Sequence, residues 1–273
     1  MEYQPGLPEH NDNISHKHPL MEFALLLGGL SVVAFVVYLL LGLAVDLVAE
    51  HISPEQELQW FKRNSVDVIA SSMLDHGGEA KRIDSALFQG LKQCLDVDYP
   101  LQLWLVKSEK VNALAVPGDD VFVYQGLVDA VQSENGLAFV LAHEIAHFQQ
   151  RDHLKGIGRG LILASLMAVV GMGDAAALAN PAAALSQAQY SQSRESSADA
   201  KALQALACHY GHVGGATELF DALLKQEGKF AEFGHYFATH PKTQARIEQI
   251  HTWAQSRGYG FKETNPLSTF DGI

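Results

Sequence analysis

An uncharged run from Phe23 to Val45 restricts the folds open to this chain more than any other feature. As a helix rising about 1.5 Å per residue, it is long enough to cross a hydrocarbon core of about 30 Å. A buried core helix rarely reaches this length, and a cleaved signal peptide has a shorter apolar region after a short basic start. Residues 1–19 are instead acidic and rich in Pro, Asn and His, which predicts a disordered tail. We therefore predict one uncleaved transmembrane helix over residues 20–48.

The charges beside this run bear on its orientation. Lys17 lies just before it, whereas acidic residues follow it until Lys62 and Arg63. Basic residues close to a span tend to stay on the cytoplasmic side, so the pattern favours a cytoplasmic N-terminus. The rest of the chain would then lie outside the cytoplasm, in the periplasm if the helix spans a bacterial inner membrane. A domain facing the cytoplasm remains the alternative.

The stretch HEIAH carries the strongest chemical signal. On a helix, His143 and His147 lie one turn apart on one face, so both imidazoles can bind one metal ion. Glu144 lies beside them, where its carboxylate can take a proton from a metal-bound water. A helix is expected because apolar residues recur here at spacings of three and four, and Ser133 is a plausible N-cap.

A second acidic segment, SRESSADA, follows at residues 193–200. Catalytic zinc needs a third protein ligand and an open position for water, and Glu195 can supply that ligand. Asp199 lies one turn further on the same face, where it could hold the free ring nitrogen of a zinc-bound histidine. Alone, these two carboxylates would indicate a solvated helix end; the pairing with HEIAH favours ligation.

The two motifs resemble those of the HtpX-like and CAAX-prenyl-protease-like family of membrane-associated zinc metallopeptidases, in which HExxH is followed by RExxAD. The segment 111–126, VNALAVPGDDVFVYQG, resembles the hairpin that precedes the zinc helix of that family. His240-Pro241, with Arg246, resembles its His-Pro element. The similarity extends over residues 100–250.

The resemblance implies a zincin-like domain and a role for each matching residue. Three residues would bind one zinc ion per chain: His143, His147 and Glu195. Glu144 would be the general base, and Asp199 would orient a zinc-bound histidine. His240 and Arg246 would be catalytic residues that stabilise the oxyanion formed at the substrate carbonyl.

A metzincin site is the alternative among zinc enzymes. Its pattern is HExxHxxGxxH, and His153 falls at the position of the third histidine. The glycine that turns that chain back is missing, because Gln150 stands there. We therefore expect His153 to continue the helix or to begin the following loop.

Two apolar stretches separate the zinc motifs, from Gly160 to Gly173 and from Ala175 to Ala188. The first is short for a membrane span. We predict two helices that pack over the active site or dip into the membrane interface, with GMGD as their turn. Such a pair could gate access to the metal.

The coarse architecture is mainly α with a small β-sheet, that is, α+β. Predicted strands occupy 101–106, 111–116 and 121–124, with Pro117–Asp120 as a hairpin turn. Predicted helices occupy 53–75, 79–95, 126–132, 134–152, 187–210, 213–227 and 241–257. Together they form one metallopeptidase domain over 53–257, followed by a tail over 258–273. Ala113–Ala115 is the predicted sheet edge on which an extended peptide could add as a strand.

The net charge and the cysteine content bear on which partners the chain could bind and on whether it could form a disulfide. A net charge of −12 excludes nucleic acid as an expected partner, because phosphate binding needs a basic face. Cys94 and Cys208 are the two cysteines, and they could form one disulfide or remain two buried thiols.

The sequence thus predicts a membrane-anchored zinc metalloendopeptidase that hydrolyses protein or peptide substrates in quality control or processing. The alternative is a membrane-tethered chaperone-like or scaffold protein with a latent zinc site. The complete ligand set with Glu144 favours the enzyme, since a structural site needs no base. The sequence makes no prediction of oligomeric state.

Overall fold

The computed structural model describes residues 18–61, 79–169, 171, 191–225, 240 and 243–267. The helices are α1 (Pro19–His51), α2 (Pro54–Phe61), α3 (Ala86–Cys94), α4 (Gln125–Ala130), α5 (Glu134–Gln149), α6 (Asp152–Val169), α7 (Gln192–Tyr210), α8 (Glu218–Lys225) and α9 (Thr243–Arg257). The strands are β1 (Ala80–Ile83), β2 (Gln102–Val106), β3 (Ala113–Ala115) and β4 (Asp120–Tyr124). This mainly helical fold with a small sheet confirms the predicted fold class.

The sheet has the strand order β1-β2-β4-β3. β2 and β4 run parallel, while β1 and β3 pair antiparallel with β2 and β4 respectively. The predicted hairpin turn lies between β3 and β4, and Gly118 takes a φ of 113° there, a backbone conformation that favours glycine. β3 forms one edge of the sheet, as predicted.

The helix predicted over 79–95 is wrong in its first part. Residues 80–83 form β1, and Ala80 to Ile83 pair with Val106 to Leu103. Pairing with β2 outweighs the local helical pattern, because strand formation depends on the neighbouring strand as much as on propensity. The helix begins only after Ser85, whose hydroxyl accepts a hydrogen bond from the Phe88 amide at 3.2 Å.

Three other predicted helices differ from the structure. The helix predicted over 213–227 begins only at Glu218. The helix predicted over 53–75 is described only as α2, and its remainder lies outside the described residues. The helix predicted over 134–152 ends at Gln149, and Arg151 takes a φ of 60° before α6 begins. This left-handed residue turns the chain, so α6 leaves in a new direction.

The centre of the domain is α5. Residues 135–148 of this helix are buried on every face. α7 packs along it, and α3 and β3 cover other sides. The HEIAH stretch therefore lies inside the hydrophobic core, on a helix whose side chains are held by packing.

The two cysteines form a disulfide in this fold. Cys94 ends α3, Cys208 lies in the last part of α7, and their Cα atoms are 5.8 Å apart. The alternative of two buried thiols is therefore not what the structure shows. The bond fixes α7, which carries Glu195 at its other end, to α3.

The helix α1 is exposed along most of its length and, among the described residues, is the one long and apolar enough to cross a membrane. Its C-terminal part packs against α6, where a Cβ added to Gly158 would lie 2.5 Å from Val45 Cγ1. The first helix of the pair predicted over 160–188 is the continuation of α6 along α1. Residues 172–188 lie outside the described residues.

Candidate metal and catalytic site

The two histidines of HEIAH face each other as the sequence predicted. Ser133 caps α5 by accepting a hydrogen bond from the Gly136 amide at 3.0 Å, and the helix then carries His143 and His147 into the core. Both side chains are buried, and their Nε2 atoms lie 3.0 Å apart. Glu195, in the first turn of α7, brings its carboxylate to the same point. Its Oε1 is 3.2 Å from His147 Nε2, and its Oε2 is 3.6 Å from His143 Nε2.

These spacings fit a metal ion. Zinc binds nitrogen and oxygen donors at about 2.0–2.2 Å, so two donors of a tetrahedral site lie about 3.4 Å apart. The three distances between the donors of His143, His147 and Glu195 bracket that value. The donor set of two imidazoles and one carboxylate is also one that catalytic zinc sites use.

The Nδ1 atoms of both histidines, on the side of each ring away from the donor cluster, lie next to carboxylates. His147 Nδ1 lies 2.9 Å from Asp152 Oδ2. His143 Nδ1 lies 3.0 Å from Asp199 Oδ1, in ion-pair contact but without a well-aligned hydrogen bond. Because an ionised carboxylate only accepts hydrogen bonds, each neutral ring holds its proton on Nδ1. The Nε2 atom of each ring is then the one that can donate a lone pair to a metal ion.

The pKa values of the two imidazoles are shifted in opposite directions. Burial, together with the charge of His147, lowers the pKa of His143 to about 4. Burial alone would also lower the pKa of His147, but hydrogen bonds to Asp152 and Glu195 outweigh it and raise that pKa to about 9. Only neutral imidazoles bind a metal ion, so His143 is already in the binding form near neutral pH and His147 must lose a proton when a metal binds.

Glu144 lies beside the donor cluster, with its Oε1 3.6 Å from His240 Nε2. Its Oε2 accepts a hydrogen bond from the Ala115 amide of β3 at 3.1 Å. Its Oε1 is buried and has no hydrogen-bond partner among the described residues. Burial raises the pKa of this carboxyl.

Arg246 of α9 holds the two acids of α7. Its Nε and Nη2 donate to Asp199 at 2.8 and 2.7 Å, and its Nη1 lies 2.8 Å from Glu195 Oε2. Burial alone would raise the pKa of Asp199, but the charge and hydrogen bonds of Arg246 hold it below its usual range. The sequence predicted Arg246 at the substrate carbonyl, whereas the structure places its guanidinium on these two carboxylates.

His240 lies among the metal donors. Its Nδ1 is 2.9 Å from Glu195 Oε1 and 3.4 Å from His143 Nε2, and its Nε2 is 3.6 Å from Glu144 Oε1. The donor atoms of the four residues His143, His147, Glu195 and His240 all lie within 4.8 Å of one another. The His-Pro motif predicted His240 at the site, but nothing in the sequence predicted that its ring would stand at donor distance.

His153 lies apart from these donors. Its ring stacks on Phe148, and its Nε2 is 2.8 Å from Glu57 Oε1 in a buried contact. The third histidine that a metzincin needs is therefore not brought to the site, and Glu195 stands in its place. Sequence reasoning missed Asp152 as the partner of His147; its only signal was an acid just beyond the end of the helix.

Comparison with known proteins agrees with this geometry. The model of the family described as peptidase family M48 matches residues 85–254. Mitochondrial metalloendopeptidase OMA1 of Schizosaccharomyces pombe is 27% identical over 164 residues, which cover 57% of this chain and 47% of that protein. The putative beta-barrel assembly-enhancing protease of Vibrio cholerae is 30% identical over 201 residues, 68% of this chain and 40% of that protein. This chain therefore matches less than half the length of these relatives.

The matched region runs from α3 to α9. It contains β3, the HEIAH helix, the Glu195 helix and His240, which are the parts that build the donor cluster. The match also covers well over half of the chain, and it confirms the family predicted from the HEIAH and Arg194–Asp199 motifs. The chain belongs to peptidase family M48.

Proposed function

We propose that this protein is a membrane-anchored, zinc-dependent metalloendopeptidase. The observation that supports it most directly is the buried cluster of His143, His147 and Glu195 donors with the Glu144 carboxylate beside it. The Glu144 carboxylate, whose Oε1 lies 3.6 Å from His240 Nε2, could act as a base in hydrolysis, and a purely structural metal site has no need of one. Relatives named as metalloendopeptidases and proteases support the same conclusion.

In this proposal each residue has one task. Bound zinc supplies the Lewis acidity that lowers the pKa of a water molecule and polarises the peptide carbonyl. Glu144 Oε1 accepts the proton of the attacking water and passes it to the leaving amine. His240 Nε2, close to Glu144, hydrogen-bonds the developing oxyanion. Asp199 fixes the ring of His143.

A second candidate function rests on one observation. His240 Nδ1 stands at donor distance and could close the site as a fourth ligand, as in a structural or latent centre. Glu144 Oε1, which has no hydrogen bond among the described residues, favours the enzyme, because a closed structural centre needs no base.

The substrate proposed is a protein or peptide in extended form. β3 lies at the edge of the sheet, and its Ala115 amide is bonded to Glu144. A peptide added along β3 would bring a carbonyl close to the base and the metal. One relative is named a putative beta-barrel assembly-enhancing protease, and for this chain we propose a role in protein quality control or processing.

We place the metallopeptidase domain outside the cytoplasm. Disulfides form and persist in oxidising compartments, and the domain holds the Cys94–Cys208 bond. Lys17 before α1 favours the same orientation.

Removal of the third ligand tests the site. We expect Glu195→Ala, purified as the full chain in detergent, to retain less than about a tenth of the wild-type zinc. Cleavage of an unfolded protein should fall with it, and a chelator should abolish wild-type cleavage until zinc is restored. Metal content by mass spectrometry and a gel assay give both readouts. Full zinc in the variant would reassign the third ligand, and chelator-resistant cleavage would contradict the proposed function.

The contacts of Arg246 favour a positioning role over oxyanion stabilisation. Arg246→Lys keeps the charge but loses the two-pronged contact with Asp199, so we expect zinc to dissociate about 10–100 times faster. At saturating zinc, we expect kcat to fall by a smaller factor than the factor by which zinc dissociation speeds up. Arg257→Lys, an exposed arginine on the same helix, is the matched control. Normal zinc release with a strongly reduced kcat would instead support the oxyanion role.

A further inference from the structure

The membrane helix carries a carboxylate that faces the metallopeptidase domain. Asp46 follows directly after the uncharged run, near the C-terminal end of α1. Arg159 of α6 donates to it from Nη2 at 2.5 Å and from Nε at 3.3 Å. Arg194 of α7 donates to the same carboxylate from Nη2 at 3.1 Å. Asp46 thus joins the membrane helix to two helices of the domain.

Arg194 continues this contact toward the metal site. Its Nε lies 3.2 Å from Asp152 Oδ1, and Asp152 Oδ2 lies 2.9 Å from His147 Nδ1. The side chains of Asp152 and His147 are 2% and 0% exposed, so the inner half of this path is shielded from water. A continuous series of charged contacts therefore runs from α1 through Arg194 and Asp152 to a proposed metal ligand.

We propose that Asp46 and Arg194 are positioning residues through which the membrane helix supports the metal site. This inference rests on the proposed function, because it treats His147 as a metal ligand. Arg194 holds one oxygen of Asp152 and leaves the other to orient the His147 ring. Asp46 fixes the far end of that guanidinium. Without Asp46, the Arg194 guanidinium keeps only Asp152 as an acidic partner and is freer to rotate. The Asp152 carboxylate is then held less firmly.

Arg194 also acts through the backbone. It directly precedes Glu195, and the amides of both residues bond to the Ser191 carbonyl at the start of α7. Anchoring the side chain of Arg194 therefore restrains the turn that presents the third ligand. Two of the three proposed ligands, His147 and Glu195, thus depend on one arginine.

A neighbouring ion pair provides the comparison. Lys155 Nζ of α6 lies 3.0 Å from Glu50 Oε1 of α1, at the same helix interface. The Glu50 side chain is 57% exposed, and no contact with Asp152 or His147 is described for it. Exposed pairs of this kind contribute about 0–1 kcal/mol. Glu50→Gln therefore removes a charge from the same interface without touching the path to His147.

The experiment measures zinc release from the full chain in detergent micelles. Wild type, Asp46→Asn, Asp46→Glu, Asp152→Asn and Glu50→Gln are loaded with zinc and mixed with a coloured chelator. We expect Asp152→Asn to release zinc about 10–100 times faster than wild type, and Asp46→Asn about ten times faster. Glu50→Gln should stay within about twofold, and Asp46→Glu, which restores the charge, should recover most of the loss.

A double variant shows whether the residues act through each other. If Asp46 acts through Asp152, then Asp46→Asn/Asp152→Asn should release zinc no faster than Asp152→Asn alone. Circular dichroism of each variant confirms that it remains folded at the assay temperature.

Wild-type zinc release from Asp46→Asn would overturn the proposal, because the membrane helix would then be a tether without influence on the metal. Effects of Asp46→Asn and Asp152→Asn that multiply in full would overturn the path from Asp46 through Asp152 to His147. A wild-type chain that holds zinc but cleaves no substrate would overturn the proposed function alone, since zinc release is measured without substrate. A wild-type chain that holds no zinc would overturn both.

Discussion

Glu144→Gln should lower peptide cleavage by about 10²–10⁴-fold while zinc occupancy remains that of the wild type. Glutamine has nearly the same shape, and its carbonyl can still accept the Ala115 amide hydrogen bond that holds Glu144 Oε2 at 3.1 Å. It lacks a basic oxygen, however, so no group at this position can take the proton of the attacking water. The three metal donors are untouched.

The assay compares zinc content and initial cleavage rates of purified full-length protein. Glu134→Gln, at the other end of the same helix, removes an acid that contacts Tyr210 rather than the site, and its activity should stay close to wild type. A Glu144→Gln variant that still cleaves at the wild-type rate would contradict the assigned base. Loss of zinc from this variant would mean that Glu144 helps to bind the metal.

Removal of the Cys94–Cys208 disulfide should have the largest effect on stability. The bond closes a loop of 114 residues, for which loop-closure entropy gives about 4–5 kcal/mol. For a domain of this size, that loss corresponds to a fall in Tm of about 10–20 °C. Thermal unfolding of the full chain, followed by circular dichroism, measures it for the Cys94→Ala/Cys208→Ala variant.

Each single variant serves as the internal control. Cys94→Ala and Cys208→Ala should each lose as much stability as the double variant, because either change removes the same bond. Reductant should lower the Tm of the wild type and leave the double variant unchanged. Equal Tm values for wild type with and without reductant, with full reduction verified by thiol titration, would contradict a stabilising role.

The local parts of this structure were predictable from sequence. The cap at Ser133 and the apolar spacing after it define α5, and the strands β2, β3 and β4 follow their β-branched and apolar residues. The donors His143 and His147 share a helix, so their spacing alone predicts that they meet. Glu195 needed the second motif, because its approach depends on how α7 packs against α5.

The remaining parts depend on contacts between distant segments. β1 forms because it pairs with the edge of β2. The sequence around residues 80–83 alone does not indicate that this edge is available. Asp152 reaches His147 only because the left-handed Arg151 turns the chain between α5 and α6. Likewise, Arg246 meets Asp199 through the packing of α9 on α7, so the motif predicted its presence near the site and not its partner.

The burial of α5 on every face has a consequence for how the metal is acquired. In zinc fingers the ligands come together only when the ion arrives, so the energy of binding also drives folding. Here the surrounding helices and sheet already hold both imidazoles in place, and the conformational entropy of the donors is lost before any ion is captured. Such a preorganised centre can exchange its ion without unfolding, and its selectivity is set by a rigid cage rather than by an adaptable loop.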